Sequence, residues 1–315
     1  MSVDVIRIAT RSSPMALAQA RHVQQLIRDL NPEVKSELMP HTTTADRWKG
    51  DLSKLGGKGG FVAGVSALVE SGEADIAVHC VKDVPGDVPQ IEALTWTAFL
   101  PRDDVRDCVL FPEHSDHTSL DTLPKGATVA TSAVRRKAQL LRDRPDLKVV
   151  PMRGLVHHRI NSLDHAVDYD ALVLSYAGLA RVGLQNRAAQ ILEPERMLPA
   201  VGAGVLGIEA RCDRTNVRAL VGRLAHARTT AEVTAERAML AKLRGHCNSP
   251  VAGYCTTGSD GQLSLRGMVF SPDGTQFAHA HMWGGAKNEP NQLGVLVFAE
   301  LMRQGARRII DSIPH

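Results

Sequence analysis

The sequence predicts an α/β protein: two similar α/β units and a small α+β unit at the C-terminal end. Three observations carry this. Short β-branched runs alternate with helical stretches in the first half, which implies a largely parallel sheet covered by helices. The alternation begins again after the linker-like stretch PRDDVRD (101–107). The last segment changes character, with one long helix, three consecutive strand-like runs and a closing helix.

In order, VIRIAT (5–10) reads as a strand and Pro14 to about Leu30 as a helix. Ser13 is its natural N-cap and Pro14 its favoured first residue. SELMPHT (36–42) is strand-like. Beyond a glycine-rich loop, FVAGVSALVES (61–71) is helical and DIAVHC (75–80) is a buried strand. In the second run ATVAT (127–131), KVVPM (148–152) and DALVLS (170–175) are strands. AVRRKAQLLRD (133–143) and LVHHRINSLDHA (155–166) are the helices between them. The openings IAT-RSS and VAT-SAV match, either because two units share an origin or because two strand-to-helix turns coincide.

After a second linker, MLPAVGA, the run GVLGIEAR (204–211) is a strand that returns to the first sheet if the chain leaves the second unit near 200. A helical stretch follows from Asn216 to Ala225, and TTAEVTAERAMLAKLRG (229–245) is a strong amphipathic helix. VAGYCTT, QLSLRGMVF and FAHAHMW are strands joined by turns at Ser259-Asp260-Gly261 and Pro272-Asp273-Gly274, and a helix at 291–303 closes the chain. The expected domains are 1–104 with 204–226, then 105–203, then 227–315.

Composition removes several function classes. The 315 residues carry a net charge of +3, so there is neither a polycationic tail nor an acidic solvating segment. Three Trp, three Tyr and six Phe are too few for stacked single-stranded nucleic acid. Five cysteines, at 80, 108, 212, 247 and 255, contain no CxxC, which argues against a disulfide framework or a zinc ribbon. The adjacent His157 and His158 make a poor metal pair, and no metal is expected. The N-terminus lacks a signal-like apolar run and no stretch reaches membrane-span length, so a cytoplasmic protein without membrane or nucleic-acid partners is expected. Arginine dominates the cations, 27 against 10 lysines. Codon bias or bidentate recognition of carboxylate or phosphate would each produce this.

The motifs bear on that choice. In TSAVRRKAQ, Ser132 is a good N-cap, and Arg135 and Arg136 fall in the first turn, where cations oppose the helix dipole. They are either two solvated arginines or an anion clamp at a helix N-terminus. TRSSPMALAQ repeats the offer with Arg11 at a strand's carboxyl end. Two such turns facing across a cleft would bind a polyanion. LSKLGGKGG sets Lys54 and Lys58 among glycines without the Ser or Thr of a phosphate-binding loop, and reads as a mobile basic loop or a plain flexible one. Gly202-x-Gly204-x-x-Gly207 is formally a dinucleotide fingerprint, but it precedes a strand instead of a helix. Lys82 and Asp83 end a buried strand, as a site carboxylate for a developing cation or as a surface ion pair. Cys247, flanked by Arg244 and His246 past a helix whose expected C-cap is Gly245, is either an activated thiol or an inert one.

Together IRIATRSSPMALAQ, LGGKGGF, ADIAVHCVKDVP, VATSAVRRKAQL, MRGLVHHR, DALVLSYAGLARVGL, LPAVGAGVLGIE and TAERAMLAKLRGHCNSP resemble the hydroxymethylbilane synthase (porphobilinogen deaminase) family over nearly the whole chain. The resemblance implies two periplasmic-binding-protein-like α/β domains plus a small third domain. It implies a dipyrromethane cofactor held by a thioether to Cys247 and a catalytic carboxylate at Asp83. Cofactor binding maps to Ser13, Lys82, Asp83, Thr131, Ser132, Arg135 and Arg136, and substrate carboxylate binding to Arg11, Arg153, Arg159 and Arg181. Lys54 and Lys58 match the family's mobile loop. The implied reaction joins four porphobilinogen molecules head to tail with loss of ammonia, in a monomer. The chain departs from the family's usual pattern at Gly60, at 63–66 (AGVS for KELE), and at Cys80, Ala133, Leu155, Ala203 and His246. A divergent paralogue, or a non-catalytic polycarboxylate binder on the same scaffold, is the alternative.

Overall fold

Each sheet is built around strands too apolar to face water, with the charged ends of those strands left at one edge. The computed structural model describes residues 4–47, 59–86, 91–245, 249–284 and 289–312. β1 (Val5–Arg11), β2 (Lys35–His41), β3 (Ile76–Cys80) and β4 (Leu94–Phe99) belong to the first sheet. Helices α1 (Pro14–Leu30), α2 (Thr44–Arg47) and α3 (Ala63–Glu70) lie between these strands in the chain. Ser13 caps α1 by accepting from Ala16 N at 3.4 Å, with Pro14 first in the helix. Ala16, Ala20, Val23 and Ile27 form its buried stripe at helical spacing. Pro40, which lacks an N–H, sits in the edge strand β2, where a missing ladder bond costs least.

The second sheet uses β5 (Asp107–Leu110), β6 (Thr128–Ala130), β7 (Lys148–Val150), β8 (Ala171–Ser175) and β9 (Gln190–Leu192). Its helices are α4 (Val134–Asp143), α5 (Val156–His165) and α6 (Tyr176–Ala180). β10 (Leu206–Arg211) then returns to the first sheet, followed by α7 (Thr215–Gly222). The third unit comprises α8 (Ala227–Leu243), antiparallel β11 (Val251–Thr257), β12 (Leu263–Phe270) and β13 (Phe277–Gly284), then α9 (Pro290–Arg303) and α10 (Ala306–Asp311).

The sheets run β2-β1-β3-β10-β4 and β7-β6-β8-β5-β9. In each, four strands run in one direction and one, β10 in the first sheet and β5 in the second, runs antiparallel between two of them. The matching turns IAT-RSS and VAT-SAV thus follow equivalent strands, β1 and β6. Four of the five strands in each sheet thus share a direction, as a largely parallel sheet requires, while β4, β5 and β9 escape a sequence reading. β5 and β9 are four and three residues long. β4 pairs with β10 across a register shift at Ile208/Glu209, which breaks the two-residue period. The stretch 101–107, read as a linker, ends inside β5.

Two crossovers, 100–106 and 193–205, connect the sheets, and α8 holds both. Glu236 is fully buried; its carboxylate accepts from Gly202 N (2.7 Å) and Cys255 N (2.9 Å), and Arg102 Nη2 lies 2.8 Å away. Burial raises the Glu236 pKa, with Arg102 and the two amides opposing it. Gly202 and Gly204 take positive φ of 73° and 74° inside the second crossover. A Cβ at Gly204 would meet Asp103 O at 2.4 Å, and one at Gly207, in β10, would meet Trp96 at 2.6 Å. The glycines of the formal dinucleotide fingerprint therefore serve close packing at a crossover and in a strand.

In the second unit Asp107 opens β5 and is 2% exposed. It accepts from Arg135 Nη2 at 2.5 Å and Arg136 Nη2 at 2.8 Å. Burial alone would raise its pKa, but the two guanidiniums hold it well below the usual carboxylate range. Asp107→Asn leaves two buried cations without a counter-charge and should cost about 3–5 kcal/mol in urea unfolding. The depressed pKa contributes stability that is present above the ordinary carboxylate value and lost as pH falls through the folded one. Below about pH 4, wild-type stability should therefore fall about 1.4 kcal/mol per pH unit more steeply than that of the variant. Equal slopes would show that Asp107 is not the group responsible.

Candidate active site

The carboxyl ends of β1 and β3 carry the first half of the site. Arg11 ends β1, and Val81–Asp83 form a 3-10 turn directly after β3. Val81 is buried and donates its N–H to Val205 O at 3.0 Å, anchoring the turn to the second crossover. A pocket lined by Arg11, Gln19, Phe61, His79, Cys80 and Asp83 opens there. Arg11 is ion-paired to Asp46 and stacks over the Phe61 ring at 4.4 Å. Lys82 and Asp83 are half-buried, and among the described residues neither side chain makes a hydrogen bond or ion pair. The carboxylate of Asp83 therefore stands at the pocket with no lone pair committed to a described residue.

Arg181, just past α6, reaches across from the second unit. Its guanidinium donates to Asp103 Oδ2 at 2.7 Å and to Gly204 O at 3.4 Å. Its Nη1 lies 3.8 Å from Cys80 Sγ, three residues before Asp83. The turn bearing Asp83 and the second sheet thus meet at one cation.

The second unit supplies the rest. Arg135 and Arg136 do not form an open clamp at the first turn of α4. Both are buried and face Asp107, with Arg135 also donating to Leu198 O at 2.6 Å and Arg136 to Val173 O at 3.3 Å. Two cations in a helix's first turn are tolerated because Asp107 offsets them. The cap residue is Ala133, not Ser132, and no side chain caps α4. Thr131 is buried and Ser132 half-buried. Arg159, on α5, has no acidic partner among the described residues, and its buried Nε has no hydrogen bond; the same is true of Arg136 Nε. Burial, then the neighbouring Arg136 charge, pulls the Arg159 pKa down to about 10. Arg153 is exposed at the turn before α5.

Beneath the pocket lies a buried polar group that the motif reading missed. Ser66 Oγ donates to Glu209 Oε2 at 2.6 Å, and His79 Nε2 lies 3.3 Å from the same oxygen. His79 meets Trp96 edge-on at 5.8 Å, and the Arg237 guanidinium lies over the Trp96 ring at 5.7 Å. Burial lowers the Arg237 pKa, with Glu209 opposing it. The signal that could have found this group is Glu209 itself, a charge inside the apolar run GVLGIEA.

Lys54, Lys58, His246 and Cys247 lie outside the described residues. The chain is fixed just before Cys247. Arg244, not Gly245, takes the left-handed cap of α8 at φ 55°. Gly245 O then accepts from Gly86 N at 2.9 Å, three residues beyond Asp83.

Comparison with known proteins follows the same lines. Residues 6–219 match the family model described as porphobilinogen deaminase, dipyromethane cofactor binding domain. Residues 230–303 match porphobilinogen deaminase, C-terminal domain. Porphobilinogen deaminase 2 of Streptomyces coelicolor is 48% identical over 313 residues, covering 99% of this chain and 98% of that relative. Among solved structures, the periplasmic VFT2 domain of BvgS from Bordetella pertussis aligns at 16% identity and a TM-score of 0.41, over 76% of this chain and 93% of that one. The aliphatic sulphonate binding protein SsuA of Escherichia coli aligns at 15% and 0.40, over 76% and 70%. Two family models that together take in both sheets and the C-terminal unit, and a relative matched almost end to end, place the chain in the porphobilinogen deaminase family.

Proposed function

We propose that Asp83 is the catalytic carboxylate of a hydroxymethylbilane synthase and that the guanidiniums of the second unit hold the acid groups of cofactor and growing product. The observation that carries this reading is a charge imbalance. Arg135 and Arg136 share a single described carboxylate, Asp107, and Arg159 adds a third guanidinium beside Arg136, with two Nε groups enclosed and unpartnered among the described residues. Unpaired buried cations are costly, and a protein retains them where an anionic ligand completes them.

Dipyrromethane fits this test, because its two pyrroles bear acetate and propionate groups and so match an excess of guanidinium. Joined through a thioether at Cys247, it supplies the nucleophilic pyrrole α-carbon on which the product grows. The chain's own residues do the rest. Arg136 and Arg159 accept carboxylates where their Nε groups point, with Thr131 and Ser132 beside them. Arg11 lines the pocket from the end of β1, and Arg181 and Lys82 stand near it at the ends of α6 and β3, each beside a pocket residue, Cys80 or Asp83. Arg135 keeps Asp107 and α4 in place, and Ser13 keeps α1 in place. Arg153 extends the cationic surface at the start of α5, and Lys54 and Lys58 match the family's basic loop.

Each condensation of porphobilinogen breaks one C–N bond, forms one C–C bond and releases ammonia and a proton. Positive charge develops on the substrate pyrrole as ammonia leaves. Asp83 accepts the pyrrole N–H and offsets that charge. Its uncommitted carboxylate needs no reorganisation, and Phe61, Val62 and Val78 in the pocket wall limit screening by water. The enzyme is a transferase of tetrapyrrole biosynthesis. Its proposed domains are 1–104 with 204–226, 105–203 and 227–315. A cytoplasmic monomer is the setting we infer. Unpaired Cys108 and Cys255, both buried, fit a reducing compartment, and among the described residues no helix is long and apolar enough to cross a membrane.

Three variants test the roles. Asp83→Asn should keep its melting temperature and lose about 10²–10³ in turnover, a loss typical of removing one preorganised charge-stabilising group; near-normal turnover would refute the assignment. Intact-protein mass spectrometry should show a covalent mass excess in the wild type, and a coloured adduct with Ehrlich's reagent, both absent from Cys247→Ser. Arg159→Met removes an unpaired, enclosed cation, so the unliganded protein should be no less stable. The KM for porphobilinogen should rise about tenfold to a hundredfold, the worth of one charge-assisted hydrogen bond. A destabilised protein with unchanged KM would make Arg159 structural.

A further inference from the structure

The turn that carries Asp83 is gripped from behind by a helix of a different unit. Arg237, on α8, donates from Nη1 to Val84 O at 3.2 Å and from Nη2 to Pro85 O at 3.3 Å. The next amide, Gly86 N, bonds to Gly245 O just past the end of α8. The two peptide units 84–85 and 85–86 are therefore tied to α8 and to Gly245 just beyond it. There is no slack between them: a Cβ on Gly86 would lie 2.7 Å from Leu240 Cγ and 2.9 Å from Ala241 N. Trp96 fixes the guanidinium from the other side. Arg237 has no ion pair among the described residues, so its fork is spent on the two carbonyls.

We infer that Arg237 is a positioning residue for the condensation, holding the Asp83 carboxylate in its working place through the backbone of residues 84–86. The inference rests on the reading of Asp83 given above. Its physical basis is that displacement of a catalytic group by about 1 Å is enough to cost about a hundredfold in rate. A fork spanning two adjacent carbonyls resists rotation of the turn, which a single point of attachment does not.

The test compares Arg237→Met and Arg237→Lys in the full-length holoenzyme, with rates normalised to covalent cofactor by Ehrlich absorbance. Arg237→Met should lower kcat about tenfold to a hundredfold, leave the KM for porphobilinogen within about twofold, and speed amide hydrogen exchange in a peptide covering 82–86. Arg237→Lys, with one compact donor head, should recover only part of kcat. A lower melting temperature with kcat and exchange at 82–86 unchanged would overturn the inference. If Arg237→Met does not fold, Gly86→Ala pushes on the same contact from the turn's side, and a normal kcat there would overturn it equally. Absence of condensation by the wild type would instead refute the function, while the exchange result would still report the hold of Arg237 on the turn.

Discussion

A single buried carboxylate, Glu236, joins the three parts of the molecule. It takes an amide from the second crossover, an amide from β11 and the Arg102 guanidinium of the first crossover. Such a group, fully enclosed, is stable only while all its partners are present. The two sheets therefore cannot separate from the C-terminal unit without exposing an ion in apolar surroundings. Everything at the pocket inherits this: the Asp83 turn leans on β10, on the second crossover and on α8, all within reach of Glu236.

Charge is distributed unevenly around that frame. Most surface arginines are paired with a neighbouring Asp or Glu, as with Arg106, Arg144, Arg187 and Arg196. These pairs contribute little individually. The interior cluster at Arg136 and Arg159 is the contrasting case, with more guanidinium than carboxylate where burial makes the excess matter. An enzyme that accumulates two acid groups with every added pyrrole requires an excess of this kind. The role proposed for Asp83, at the edge of the first sheet, is of the opposite sign: it offsets the one moment when the substrate is cationic.

Much of this was legible in residue order. The long elements, α1, α4, α8 and the three C-terminal strands, announce themselves by their apolar pattern and turns, and α1 by its cap as well. Arg11 and Asp83, both proposed for the site, read from sequence as strand-end residues, and the structure places both at one pocket there. Three things were not legible. β5 and β9 are too short to show a period, and β4 is interrupted by a bulge. The α4 arginines looked open because their counter-charge, Asp107, lies 28 residues earlier in sequence for Arg135 and becomes a neighbour only in the folded sheet. α8 looked like an ordinary amphipathic helix, yet Glu232, Glu236 and Arg237 are polar groups on sides that face other units, a role that no local pattern encodes.

The exchange of strands between the two sheets has a consequence for synthesis. β4 touches its sheet only through β10, and β10 is made more than a hundred residues after β4 begins. The second sheet is complete once residue 192 has emerged, so on the ribosome the middle of the protein finishes before the beginning. Until residue 211 appears, the nascent first sheet exposes one flank of β3 and leaves LTWTAF without a partner, a window in which these unpaired edges are open to mispairing.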